Sequence, residues 1–253
     1  MKTIQVIKEE LSAASERERE ELLTLYGQDG RAGVQKVIRK ILREQEKLEE
    51  ERQRTENMKS YERQYAGRGL ICGIDEVGRG PLAGPVVAGA VILPVDEEIL
   101  YINDSKQLSE KKREELYEII MERAVAVGLG CVSPRRIDEI NILQATYEAM
   151  RQAIGQLAKP PAVLLNDAVT IPGVDIPQVH IVKRDTKSVS IVAASIVAKV
   201  TRDRMMVEYD ETMPEYGFAS NKGYGSAAHI AALKQYGPSP IHRKSFIGNF
   251  VDV

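Results

Sequence analysis

Four carboxylates stand where apolar, β-branched runs give out along this 253-residue sequence. Asp75 and Glu76 end the run 70–74, Asp167 follows the run 162–165, and Asp185 follows the run 176–182. Such runs read as strands, and in an α/β sheet ligands bind beyond the carboxyl ends of strands, so acids placed there can converge on one site. Carboxylates held close repel one another and rise in pKa unless a cation keeps them ionised. With three scattered histidines and two cysteines, Cys72 and Cys131, that form no CxxC pair, the ligands are oxygens. That set suits Mg2+ or Mn2+ better than Zn2+. Two such ions about 4 Å apart activate a water and stabilise a leaving oxygen in phosphodiester hydrolysis. Singly, each acid has a plainer use: Asp185 as a helix N-cap, Asp167 as the start of a turn. Their shared placement at strand ends favours the catalytic use.

Between the first two strand-like runs lies Gly78-Arg79-Gly80-Pro81. Glycines let a backbone approach a ligand closely, and an Arg between them can meet a phosphate bidentately. A hairpin turn with one exposed Arg is the plainer reading. The stretch from Gly78 to Ala83 also spells G-x-G-x-x-A, so a nicotinamide or flavin enzyme that binds its dinucleotide through Gly78-Arg79-Gly80 is a competitor. That fingerprint needs a helix to start at the glycines. Here the next run, 85–93, is strand-like, and Asp75-Glu76 would set negative charge beside the pyrophosphate.

The elements that must position these residues fall into two textures. Residues 1–69 carry 15 Lys+Arg and 14 Asp+Glu, with apolar residues at helical spacing. Thr3 caps a short helix through Leu11, Ser15 caps another through Tyr26, and residues 27–30 form a turn. Val34, Val37, Ile38, Ile41, Leu42 and Leu48 then make one stripe of a long helix from about Arg31 to about Arg63. The whole is an all-helical extension with a mixed-charge outer face, which packs on or tethers the main domain or helps to hold substrate. From residue 70 strands and helices are mixed: strands at 70–75, 85–93, 124–132, 162–165 and 176–182, and helices at 109–123, 137–157 and 188–206, the last buried on most of its surface. The expectation is an α/β domain over 70–253, with a mixed central sheet flanked by helices and a C-terminal helical segment.

Lys+Arg number 35 against 37 Asp+Glu, a formal net charge of −2, which argues against a nucleic-acid binder driven by bulk charge. Charge breaks the apolar run at the N-terminus within ten residues, and nowhere do 18 uninterrupted apolar residues occur. A cytoplasmic, unanchored, monomeric protein is expected.

Residues 73–86, Gly-Ile-Asp-Glu-Val-Gly-Arg-Gly-Pro-Leu-Ala-Gly-Pro-Val, resemble the opening signature of type 2 ribonuclease H. Four further segments agree in order. Residues 104–109 resemble that family's DSKxLS segment, 183–188 followed by 191–196 its fourth-acid segment, 221–226 its tyrosine segment, and 242–246 its closing motif. The match covers about 69–247, and the preceding helical extension is similar to that of some bacterial members.

The resemblance implies a ribonuclease H-like sheet and aligns Asp75, Glu76, Asp167 and Asp185 with the family's metal-binding acids, for Mn2+ or Mg2+ in a two-metal site. Asp at the fourth position resembles the ribonuclease HII branch more than ribonuclease HIII. The implied reaction is endonucleolytic hydrolysis of the RNA strand of RNA–DNA hybrids, and cutting on the 5′ side of a single ribonucleotide in duplex DNA, leaving 3′-hydroxyl and 5′-phosphate. Gly78, Arg79 and Gly80 would read the 2′-hydroxyl, Tyr224 would stack beside the cut, and Lys106, Lys183, Arg184, Lys187 and Lys222 would contact phosphates. The chain departs from the family at Asn166, where an apolar residue is usual, and at Arg184, where Gly is. Asn166 is then free to bond an acid or a water, and Arg184 to tune metal affinity or hold a phosphate. A non-catalytic hybrid-binding protein with structural acids is the competing class.

Overall fold

The small and β-branched residues of ICGIDEV and VVAGAVI suit strands buried on both faces. In the computed structural model, which describes residues 1–167, 169–181 and 188–252, they form β1 (Ile71–Val77) and β2 (Val86–Ile92). With β3 (Ala126–Val132), β4 (Val163–Asp167) and β5 (Gln178–Ile181) they make a five-stranded sheet in the order β3-β2-β1-β4-β5. β1, β2 and β3 pair antiparallel, whereas β4 runs parallel to both β1 and β5. The carboxyl ends of β1, β4 and β5 therefore meet at one edge.

Helices cover both faces. α6 (Pro134–Gly155) lies on one, and α7 (Val189–Thr212) with α5 (Glu110–Arg123) on the other. α7 comes close because Gly73 has no side chain: a Cβ there would stand 2.1 Å from the carbonyl carbon of Ser190. Ser109, Ser133 and Ser188 cap α5, α6 and α7 through their side-chain oxygens. The cap of α7 is thus Ser188, and Asp185, with its plainer reading as a cap, lies outside the described residues. The C-terminal segment adds α8 (Phe218–Asn221), α9 (Ala227–Tyr236) and α10 (Lys244–Ile247).

The N-terminal residues fold as α1 (Ile4–Ala13), α2 (Glu16–Gly27) and α3 (Ala32–Asn57), followed by α4 (Ser60–Tyr65). Packing divides the chain into Met1–Arg54 and Thr55–Val253, earlier than the change of composition at 69. Ile7, Leu11, Tyr26, Val34 and Ile38 form the first unit's own core. The long helix expected to reach Arg63 is interrupted at Met58 and Lys59, although no Gly or Pro stands there. Tertiary packing overrides propensity at this point. Met58 enters the core beside α7, its carbonyl accepts the Val189 amide at 3.1 Å, and α4 starts afresh with Glu62 buried against the first turn of α7. Among the described helices none is long and apolar enough to cross a membrane.

Candidate active site

A cleft of about 320 Å³ opens where β1, β4 and β5 end. Its wall takes Asp75, Glu76 and Val77 from β1, Asp167 from β4, Ile181 from β5, Ser188, Ser195 and Lys199 from the start and middle of α7, Asp104, Ser105 and Lys106 from the loop before α5, and Tyr224. Parallel register makes Asp75 and Asp167 neighbours, one step past Ile74 and Asn166. Three of the four acids thus share one cavity. Asp185, with Lys183, Arg184 and Lys187, lies outside the described residues.

Burial, then the charges of Glu76 and Asp167, push the Asp75 carboxyl up to about 7, against hydrogen bonds from Ser195 and from the Glu76 backbone. Ser105 Oγ lies 2.9 Å from Ser195 Oγ. Since Ser195 gives its proton to the carboxylate, Ser105 is the donor in that pair, and a two-hydroxyl chain ends on Asp75. Arg113 holds the Ser105 loop through the carbonyls of Ser105, at 2.9 Å, and Leu108, at 2.5 Å. Lys199 reaches the cleft while its ammonium pairs with Asp203 at 2.6 Å; burial pushes its pKa down despite that partner.

Carboxylates and hydroxyls are hard donors, and the burial and neighbouring charge that raise the Asp75 pKa are offset by a hard divalent cation, so the residues present fit Mg2+ or Mn2+. Among the described residues no three His, Cys, Asp or Glu side chains close into a metal cage by themselves.

The Gly78–Gly84 loop is held from behind by two buried arginines. Arg243 donates to the carbonyls of Gly78 at 2.5 Å, Arg79 at 3.0 Å and Gly84 at 2.8 and 2.9 Å. Arg202 donates to Ala83, Pro85 and Lys222 carbonyls at 3.0, 2.9 and 2.9 Å. Gly78 has φ +88°, and a Cβ there would meet Arg202 Nε at 2.3 Å, so this glycine admits a scaffold arginine. Gly80 faces open space and leaves its backbone approachable. The dinucleotide reading fails here, because the loop leads into β2 and no helix starts at its glycines.

Other expected contacts are rearranged. Arg79 pairs with Glu76 at 3.3 Å. Lys106 lines the cleft, but Lys222 does not, and its ammonium turns back to the Ala219 carbonyl. Asn166 faces away from the acids and gives its amide hydrogens to Gln178 Oε1 at 2.8 Å and to the Val169 carbonyl at 3.2 Å. It organises the loop before β5. The residues that sequence reasoning missed are Ser195, Lys199, Arg202 and Arg243. A faint signal existed for the first two: Ser195 and Lys199 are four apart in the otherwise apolar run 191–200 of α7, hence on one face.

The ribonuclease HII family model matches residues 72–249, and the ribonuclease HII N-terminal domain model matches 3–66. A ribonuclease HII of Lachnoclostridium phytofermentans is 68% identical over 224 residues, 88% of each chain. One of Clostridioides difficile is 49% identical over 252 residues, 99% of each chain. The crystal structure of the ribonuclease H2 of Pyrococcus horikoshii superposes with a TM-score of 0.58 at 30% identity, covering 70% of this chain and 93% of that one.

Proposed function

The chain belongs to the ribonuclease HII family of hydrolases, and on that premise we propose that it cuts RNA–DNA hybrids, and duplex DNA on the 5′ side of a single embedded ribonucleotide. The observation that carries the reading is the meeting of Asp75, Glu76, Asp167, Lys106 and Tyr224 in one cleft. Two divalent cations held by Asp75, Glu76, Asp167 and Asp185 would supply the charge that lowers the pKa of water and stabilises the leaving oxygen.

The chain's own residues do the rest. Ser195, backed by Ser105, fixes the orientation of the Asp75 carboxylate. Lys106 offers a cation to the phosphate backbone, with Lys183, Arg184 and Lys187 assigned the same task. Tyr224, 43% exposed, offers a ring for the sugar or base beside the cut. Gly80 and its neighbours present backbone to the 2′-hydroxyl, the group that separates RNA from DNA. Water adds to phosphorus, the bond to the 3′ oxygen breaks, and a proton passes to that oxygen, leaving 3′-hydroxyl and 5′-phosphate. The N-terminal helices, with their mixed charge, are read as an accessory that helps to hold the duplex.

The test is a labelled DNA duplex with one ribonucleotide, incubated with the full chain and Mg2+ or Mn2+, and again with EDTA. Metal-dependent scission is expected; an intact duplex in every metal would overturn the reading.

A further inference from the structure

Two histidines that the chemistry above does not use lie end to end behind Tyr224. His229 and His242 are 0% and 4% exposed. His229 Nδ1 is 2.8 Å from the Tyr224 carbonyl, the two Nε2 atoms are 3.0 Å apart, and His242 Nδ1 faces the Ser239 amide at 2.9 Å and its hydroxyl at 2.7 Å. An amide can only donate, so His242 Nδ1 accepts and its proton sits on Nε2. That proton goes to His229 Nε2, and His229 therefore carries its own on Nδ1, where a carbonyl can only accept. Both ends of the chain dictate the same direction. A further proton on either ring would set two hydrogens between the Nε2 atoms or one against the Ser239 amide. Burial accordingly pushes both histidines down in pKa, His242 to about 4.

We propose that His229 and His242 are positioning residues: a relay of fixed tautomers that holds the Tyr224 backbone, and so its ring, at the mouth of the cleft. The inference rests on the reading of Tyr224 as the stacking residue. The relay also ties that ring to the loop that faces the ribose. The Ile241 carbonyl accepts the Gly84 amide at 2.9 Å, the Arg243 amide bonds the Leu82 carbonyl at 2.9 Å, and the Gly223 carbonyl accepts the Leu82 amide at 2.8 Å. Tyr216 and Phe218 pack edge-on against the His229 ring, with interplanar angles of 82° and 84°, and fix its plane. The tyrosine and the Gly78–Gly84 loop are therefore carried on one hydrogen-bonded frame.

The test has two arms on the full chain. The first is nitrogen-15 NMR of labelled imidazoles near neutral pH, with the exposed His180 identified through His180→Asn. Expected are a proton on Nδ1 of His229 and on Nε2 of His242, both rings neutral; the opposite tautomer at either, or a charged ring, overturns the relay. The second is a double-mutant cycle on the single-ribonucleotide duplex. His242→Phe keeps an aromatic ring without its hydrogen bonds and should raise KM about tenfold with kcat little changed, the scale of one lost stacking contact. That rise should vanish in a Tyr224→Ala background. A rise that persists there overturns the relay alone. An unchanged KM in Tyr224→Ala by itself overturns the stacking reading, and the positioning role with it, while the tautomers stay as assigned.

Discussion

Asp75 and Asp167 leave the sheet side by side from adjacent parallel strands, each one residue past the last β1–β4 pair, Ile74 opposite Asn166. Register partners on parallel strands point to the same face, so two negative charges are built into one wall by the pairing itself. Ile71, Val163 and Leu165, on that same face, pack with Ile191 of α7, which lines the cleft together with both acids.

The raised titration of Asp75 gives a signed prediction. Its folded pKa of about 7 lies above the ordinary 3.8. Between those values the folded chain binds the proton more tightly than the unfolded one, so without divalent cations this group's contribution to stability falls as pH rises through that window. A cation competes with the proton, so the gain in Tm on adding Mg2+ or Mn2+ should be larger at about pH 8 than at about pH 5. Asp75→Asn should remove the slope and most of the gain. Equal gains at both pH values in the natural chain would contradict this.

His242 contributes with the opposite sign. Its folded pKa, about 4, lies below the ordinary 6.5, so stability that is full above the unfolded value is lost as pH falls through this window toward the folded one. Thermal melts of His242→Phe and Asp75→Asn across this range should separate the two slopes, each variant removing one.

Arg243 spans the carbonyls of Gly78, Arg79 and Gly84, and burial with the neighbouring Arg202 charge pushes its pKa down to about 9, leaving it charged at neutral pH. Arg243→Met leaves these carbonyls unpaired and should lower unfolding free energy by about 3 kcal/mol in urea titrations. Arg243→Lys keeps the charge but not the fork, so discrimination between ribose and deoxyribose should weaken more than hybrid affinity. Unchanged discrimination would show that the loop does not need this brace.

Glu62 accepts the Ser190 amide at 3.0 Å and the Ser188 hydroxyl, so a residue ahead of the sheet satisfies the first turn of α7. Removing residues 1–54 should leave a folded, cutting chain, whereas Glu62→Ala in the full chain should cost about 1–3 kcal/mol. Loss of folding on removal of 1–54, measured by circular dichroism, would contradict the division at Thr55.

Asp75, Glu76 and Asp167 were legible as candidates in the sequence because each follows a β-branched run whose end a sheet must expose, and β1 and β2 were legible as strands from two such runs with Gly and Pro between them, their antiparallel direction coming from the structure. Arg202 and Arg243 were not. Their role comes from carbonyls far away in sequence, and an arginine between polar residues reads as surface. The break at Met58 was hidden for a similar reason: nothing local ends the helix, and only the core beside α7 draws Met58 in. Ser195 and Lys199 were masked by the apolar residues around them.

The most direct measurement maps the ends produced from a DNA duplex that carries one ribonucleotide. A single metal-dependent cut on the 5′ side of that ribonucleotide is expected, with 3′-hydroxyl and 5′-phosphate ends, lost in Asp75→Asn and in Asp167→Asn while both variants still bind the duplex. A cut that survives in Asp75→Asn, or that appears equally in all-DNA duplex, would contradict this.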